Sequence, residues 1–479
     1  MDVVPLTVSA ATAPPIAVDG TLAVSPVHRV PVELLEEIFT LCRPDSSPYI
    51  ERYQEIRLDR IAQAHLLDLA HVCSRWQIVV NGTPSLWCNI DLYLSPWAPM
   101  PPDAIETVMC LLRLSLQRSR TSLLNVHIHA GARAGPILDL VAQHSRRWRH
   151  ANIDIDDEAA LFLSRAKGAL PELETLVIGV SVPDDFDVFE TAPKLSEVEF
   201  VHAPHEIARI PWEQLQSVAY GEAESYLLDT AFASISRCPI GSEVVMDSVW
   251  FDEDPPDDLA SVEAKISTLA FSLVVSDSKD PGPSRRALGA VMAALTFPNL
   301  QGITLTGGLD TLFWTQAHFH AFASRSSCGS TLLRLELHNM VLTEQELVDT
   351  LSELPALRCL FVQDVGHSSH FDGGMPLRAP HILITDGLLR RLTWTADSSC
   401  LVPKLTELQF VSFMSFSDSV FLEFTLSRAV PGRGEDSSLF SLEVSAFPNS
   451  RSFYPAVAQR LLQLDGRALW WTLGEFRPN

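Results

Sequence analysis

Between residues 30 and 42 the apolar positions Leu34, Leu35, Ile38, Phe39 and Cys42 recur at spacings of three and four, with Glu33, Glu36 and Glu37 mostly between them. This is the period of a helix with one face to bury, and Pro31 suits its first helical position. A second helical pattern runs from about Ile56 to Val80, its buried side marked by Leu66, Leu69, Ala70, Val72, Cys73, Trp76, Val79 and Val80. A third spans Asp103 to Arg118, with Ile105, Val108, Met109, Leu112 and Leu116 in register. After it the period changes.

From residue 123 onward a unit of apolar, two residues, apolar, one residue, apolar recurs thirteen times. Clear copies are Leu173-Leu176-Ile178, Leu195-Val198-Phe200, Leu215-Val218-Tyr220, Ile266-Leu269-Phe271, Leu300-Ile303-Leu305, Leu332-Leu335-Leu337, Leu357-Leu360-Val362, Leu405-Leu408-Phe410 and Leu439-Leu442-Val444. Weaker copies are Leu123-Val126-Ile128, Trp148-Ala151-Ile153, Gly241-Val244-Met246 and Leu389-Leu392-Trp394. Most starts lie 20 to 34 residues apart, and only the step from Leu389 to Leu405 is too short for a full unit. The short copies read as strands and Glu344 to Glu353 and Pro455 to Leu464 between them as crossover helices, an α/β pattern.

Neighbouring strand residues point to opposite faces, so the apolar starts face inward and the residues between them face outward. The outward set contains Glu197, Glu199, Arg334, Glu336, Phe361, Arg391 and Glu407, a mixed-charge strip that is the candidate surface for a target protein. Phe361, an aromatic among charges, is its candidate anchor.

Ser95 to Pro102 holds four prolines in eight residues, which is hostile to continued helix. The expected organisation is a disordered leader over 1–27, a helical domain over 28–95, a proline-rich linker over 96–102 and the repeat region over 103–479. The formal net charge of −24 excludes a phosphate backbone as a natural partner. Eight cysteines at irregular intervals form no zinc or thiol-exchange motif and read as reduced core thiols. The long uncharged run from Ala287 to Leu309 is cut by Pro298, Asn299 and Gln301, so a short buried helix followed by a strand is expected rather than a membrane span. Cytosol or nucleus follows as the expected compartment.

Catalytic signatures are missing: the sequence has no Gly-x-Ser-x-Gly, no phosphate-binding Gly-Lys-[Ser/Thr] loop, no His-Glu-x-x-His and no Gly-x-Gly-x-x-Gly. His127 with His129, His318 with His320, and the group Asp364, His367, His370 and Asp372 are the only metal candidates, each weaker than a surface or capping role. The acidic runs Asp154 to Glu158 and Asp252 to Asp258 lack the pattern of a calcium loop. No cofactor and no enzymatic activity are expected.

Three pieces in order carry a resemblance: Val30-Pro31-Val32-Glu33-Leu34-Leu35, Leu69-Ala70-His71-Val72-Cys73-Ser74-Arg75-Trp76, and Pro84-Ser85-Leu86-Trp87. Together they resemble an F-box, with Val30 where that family usually has Leu and a longer connection between Cys42 and Leu66. The region after residue 102 resembles a divergent leucine-rich-repeat array without its Asn ladder, since residues such as Ser181, Ala203, Met340 and Phe413 occupy that position. The two resemblances imply a small helical F-box bundle followed by an irregular leucine-rich-repeat-like solenoid of short parallel strands with helices and loops. They further imply a substrate-receptor subunit of a Skp-cullin-F-box ubiquitin ligase, its partners being a Skp-type adaptor, through it a cullin-RING ligase, and an unknown target protein. By resemblance the adaptor surface is Val30, Pro31, Leu34, Leu35, Ile38, Phe39, Val72, Cys73, Arg75, Trp76, Leu86 and Trp87. The alternative is a non-catalytic repeat scaffold with no ubiquitin link, its first helices serving only as a cap.

Overall fold

The structure, a computed structural model, describes residues 29–42, 64–94, 102–180, 182–183, 186–251, 259–275, 281–308, 311–366, 380–395, 400–429, 441–447, 450–451, 453–463 and 470–475. The leader 1–27, the acidic run Asp252 to Asp258, and His367, His370 and Asp372 lie outside these residues.

Fourteen strands among the described residues form one sheet in which spatial order equals chain order and every neighbouring pair is parallel. They are β1 (Asn89–Leu94), β2 (Leu124–Ala130), β3 (Trp148–Ile155), β4 (Thr175–Ile178), β5 (Glu197–His202), β6 (Ser217–Glu224) and β7 (Glu243–Phe251). The series continues with β8 (Thr268–Val275), β9 (Gly302–Gly307), β10 (Arg334–His338), β11 (Cys359–Gln363), β12 (Glu407–Ser412), β13 (Ser441–Ala446) and β14 (Trp470–Glu475). Parallel neighbours need a crossover, and most are helical. The helices are α1 (Val32–Leu41), α2 (Ala64–Val72), α3 (Ser74–Gly82), α4 (Pro102–Arg118), α5 (Gly135–Ala142), α6 (Asp157–Leu163) and α7 (Leu228–Ile235). After them come α8 (Pro281–Ala294), α9 (Gln316–Arg325), α10 (Cys328–Thr331), α11 (Glu344–Ser352), α12 (Asp386–Leu392), α13 (Asp418–Arg428) and α14 (Pro455–Leu462). The chain is thus a mixed α/β protein built on a parallel central sheet.

Twelve of the thirteen repeat copies coincide with strands of this sheet. Their described starting residues are buried, as at Leu173, Leu195, Leu215, Ile266, Leu300, Leu332, Leu357 and Leu405. The exceptions among the described starts are Leu123, which is half-buried, and Gly241, whose φ of 93° is a left-handed conformation that favours glycine over an apolar side chain. The strands alternate buried and accessible residues, as in the pattern of β2, so one face belongs to the core and the other stays open. Parallel sheets are usually covered on both faces.

The thirteenth copy is corrected. Leu389 and Leu392 lie on α12, whose N-cap Thr385 accepts from the Leu388 amide, and Leu388, Leu389 and Leu392 bury together at helical spacing. Arg391 therefore belongs to a helix, not to the outward strand face. The connection from α12 to β12 is held by Arg428, buried on α13, which donates to the carbonyls of Leu392, Leu401 and Val402.

Two strands went unrecognised in the repeat pattern. Trp87-Ile90-Leu92 is itself a copy of the unit, and β1 pairs in register with β2. Its range falls within 28–95, so the sheet begins before the proline-rich segment and the boundary placed at 96–102 moves ahead of Asn89. At the other end β14 pairs Trp471 with Leu442 and Leu473 with Val444. Ala in the first position of Ala468-Trp471-Leu473 hid that copy.

A single apolar cluster runs the length of the sheet, from Ile90 to Leu461. A second, smaller one joins Leu35, Phe39, Leu66, Ala70, Val79, Val80, Leu86 and Trp87, with Leu114 of α4 packed against it. Arg118 of α4 also lies over the Trp87 ring at 4.5 Å. The helical segment and the sheet therefore share side-chain contacts. The run from Ala287 to Leu309 resolves as expected into the end of α8, a two-residue strand and β9. No helix among the described residues is long and apolar enough to cross a membrane. All eight cysteines are free, but Cys42 and Cys110 are exposed and only Cys88, Cys238 and Cys328 are buried, which corrects their reading as core thiols.

Candidate functional site: an apolar helical face and a charged sheet face

Helix α1 carries two apolar stripes, and they point in different directions. Leu35 and Phe39, four apart, are buried, with Leu35 only 2% exposed, and Phe39 meets Trp76 edge-on at 4.9 Å. Leu34, Ile38 and Leu41, spaced by four and three, form the other stripe, with Leu34 50% and Leu41 78% exposed. Val32 in the first turn, on the side of Leu35 and Phe39, Val72 at the end of α2 and Ile78 on α3, the last 72% exposed, are also uncovered. Two short amphipathic helices cannot bury both stripes against each other, so one remains outward.

The twelve residues assigned by resemblance separate accordingly. Pro31, Leu34, Ile38 and Val72 are exposed. Leu35, Phe39, Leu86 and Trp87 are core residues, a correction whose reason is that they fill the space between α1, α3 and the Pro84–Trp87 turn. Trp87 Nε1 donates to the Val80 carbonyl at 2.7 Å, which fixes that turn. Val30, Cys73, Arg75 and Trp76 are half-buried. Arg75 donates to the Val30 carbonyl, and the Cys73 sulfur accepts the Trp76 amide at the start of α3. Pro31 is the residue ahead of the helix rather than its first residue. The continuous pattern expected over 56 to 80 is broken at Cys73, whose extended backbone separates α2 from α3. Val32, Leu41 and Ile78 had not been foreseen, although the 34, 38, 41 spacing announces a second stripe.

On the open face of the sheet, four of the seven strip residues meet. Arg334 of β10 pairs with Glu336 at 2.9 Å and reaches Glu407 of β12 at 3.5 Å. His338 lies 3.3 Å from Glu336 and stacks on Phe361 of β11 with ring centroids 4.0 Å apart. The Cys359 thiol donates to Glu407 at 3.1 Å. Hydrogen bonds from His338 and Arg334, in that order, hold the Glu336 carboxyl at about 2, against the ordinary 4.5. Burial first, then the Glu407 carboxylate, pushes the Cys359 thiol up to about 12. Phe361 is half-buried in this network rather than free. His338 and Cys359 are the members that single-position reasoning missed, because their partners come from neighbouring strands.

Glu197 and Glu199 stand apart on β5, five strands away, about 24 Å at 4.8 Å per strand. Both are exposed, and partial desolvation followed by the Asp247 charge raises the Glu199 carboxyl. The strip is therefore two separate patches, not one continuous surface.

The metal candidates among the described residues have other partners. His129 pairs with Asp154 at 2.8 Å and stacks with Tyr93, while His127 faces Asp91 at 3.4 Å. His318 and His320 lie on α9, not on a strand, two residues apart on different sides, engaged with Thr315 and Glu353. Asp364 is fully buried and accepts from the amides of Leu383, Ile384 and Phe413 and from the Ser412 hydroxyl, all within 3.0 Å. It stitches adjacent loops, the role that an Asn ladder plays in regular repeats. In the other acidic run, Asp156 caps α6 by accepting from the Ala159 amide. No group of three His, Cys, Asp or Glu among the described residues is arranged to hold a metal.

A scan against protein-family models returns no match, and a search of curated proteins returns none.

Proposed function

We propose that the chain is a substrate-receptor subunit of a Skp-cullin-F-box type ubiquitin ligase. Helices α1 to α3 dock on a Skp-type adaptor, and the array behind them holds a target protein. The observation that carries this reading is the uncovered stripe of Leu34, Ile38 and Leu41 on α1. Apolar side chains grouped on one side of a small helical unit favour a protein partner, because each removed from water contributes about 1.5 to 3 kcal/mol. The parallel strands in chain order, open on one face, fit an irregular leucine-rich-repeat-like solenoid. In this reading the chain does no chemistry itself. It raises the effective concentration of its target near the ligase's other subunits.

A second reading, a repeat scaffold with the helices as a cap, is favoured by the shared contacts of Leu114, Arg118 and Trp87. Capture of a purified Skp-type adaptor by the full chain separates the two. The receptor reading expects capture that Leu34→Asp weakens, and a chain that never binds the adaptor leaves the scaffold.

A further inference from the structure

The connections after β4 and β5 differ from most others in the sheet. Among their described residues neither contains an α-helix, and the second has only the short turn Trp212–Gln214. Aromatic packing replaces the missing helices: Phe200 stacks between Trp212 at 6.0 Å and Tyr220 at 5.3 Å. The replacement is incomplete. A cleft of about 160 Å³ remains at the carboxyl ends of β4 to β6. Its apolar lining includes Ile178, Phe200, Ile210 and Leu227, and His202, His205 and Glu224 line it as well. Its mouth carries Val180, 53% exposed, and Tyr226, 63% exposed and stacked on His205 at 6.1 Å.

Size and charge restrict what fits. Sites for drug-sized ligands run from about 300 Å³ upward, whereas a dry cavity of about 150 Å³ takes a benzene-sized group. The cleft matches one bulky side chain. Glu224 lines the cleft beside Tyr226 and raises the pKa of its hydroxyl. Glu222, paired with His202 at 3.0 Å, lies on the same strand. The nearest arginine in sequence, Arg209, faces Asp187 at 4.0 Å. An apolar hole behind an acidic mouth complements an apolar side chain flanked by positive charge.

We propose that this cleft is a peptide-anchoring site that receives one phenylalanine- or leucine-sized side chain of an extended segment, with an adjacent arginine or lysine paired to Glu224. This deepens the proposed function, since it rests on the chain being a protein-binding module, and it moves target recognition from the Arg334 network to the β4–β6 edge.

The test measures fluorescence polarisation of labelled Gly-Arg-Phe-Arg-Gly with the full-length chain. Versions with Ala for Phe, with Glu for both Arg, and with Ser for both Arg serve as comparisons. The Phe-Arg peptide should bind at least about tenfold more tightly than the Ala and Glu versions, the factor expected of one good contact. Glu224→Gln should weaken the Arg peptide severalfold and leave the Ser peptide unchanged. Ala208→Phe, which fills the cleft, should abolish binding, and Tyr226→Ala at the exposed mouth provides a second variant that keeps the fold. Melting temperature is followed for each. Equal binding of all peptides, no binding of any, or wild-type binding by both Ala208→Phe and Tyr226→Ala would overturn the proposal. Self-association lost on Ala208→Phe would do so too, by giving the cleft to a second copy. Adaptor capture on the same preparations keeps the outcomes apart, because it depends on the Leu34 face and not on this cleft.

Discussion

Glu336 and Asp364 are both carboxylates among donors, yet they answer to pH differently. Glu336 has its folded-state carboxyl depressed to about 2 from 4.5. A depressed acid contributes stability above its unfolded value and loses it as pH falls through the folded one, so the contribution should disappear between pH 4.5 and 2. The full shift corresponds to about 3 kcal/mol, and partners as accessible as Arg334 reduce that to about 1 to 2. Chemical denaturation of Glu336→Gln should show a deficit of that size against wild type at pH 7 and none at pH 2. An equal deficit at both would remove ionic pairing as its source. Asp364 sits in the interior, where burial raises its carboxyl despite four donors. Asp364→Ala leaves three backbone amides without that acceptor and should cost about 2 to 4 kcal/mol in the same measurement.

At the scale of elements, the two stripes of α1 allow opposite outcomes from adjacent residues. Leu35→Asp places a charge in the core of the helical unit and should lower stability by several kcal/mol. Leu34→Asp should change it by less than about 0.5 kcal/mol, since its side chain is half exposed. Thermal denaturation of the two variants checks both. Helix α1 also shows how far periodicity reads. Its existence was legible in the spacing, with part of one broad stripe expected to be buried and part left for a partner, but which residues take which side was not, because 34 with 38 and 35 with 39 are both four apart. Strands were read more fully, since burial of one face forces the period of two onto Leu176, Val198, Val218 and their successors. Leu389-Leu392-Trp394 misled because its first two positions lie three apart, which suits a helix as well as the repeat. The Arg334, Glu336, His338, Phe361 and Glu407 cluster was legible only in part, since cross-strand register brings together residues up to 73 apart in the chain.

For the whole molecule the consequence is where the chain can be cut. β1 closes the amino-terminal edge of the sheet on β2, so removing it uncovers backbone and the apolar residues that Ile90 and Leu92 cover. A chain starting at residue 84 should remain soluble, its far-ultraviolet circular dichroism reduced only by the contribution of α1 to α3, whereas one starting at 98 should aggregate. Size-exclusion chromatography of both distinguishes them, and equal behaviour would deny β1 its place in the sheet. The exposed α1 stripe and the parallel sheet are linked because Trp87, Leu114 and Arg118 join them. A partner held by the stripe would then be positioned with respect to whatever the array binds, as a receptor subunit requires.

The most direct measurement is the affinity of the full-length chain for a purified Skp-type adaptor, by biolayer interferometry, beside the double variant Leu34→Asp with Ile38→Asp. The account expects wild-type binding, at least about tenfold weaker binding by the variant, and melting temperatures that agree. Absence of wild-type binding, or equal affinity for a variant that remains folded, would contradict it.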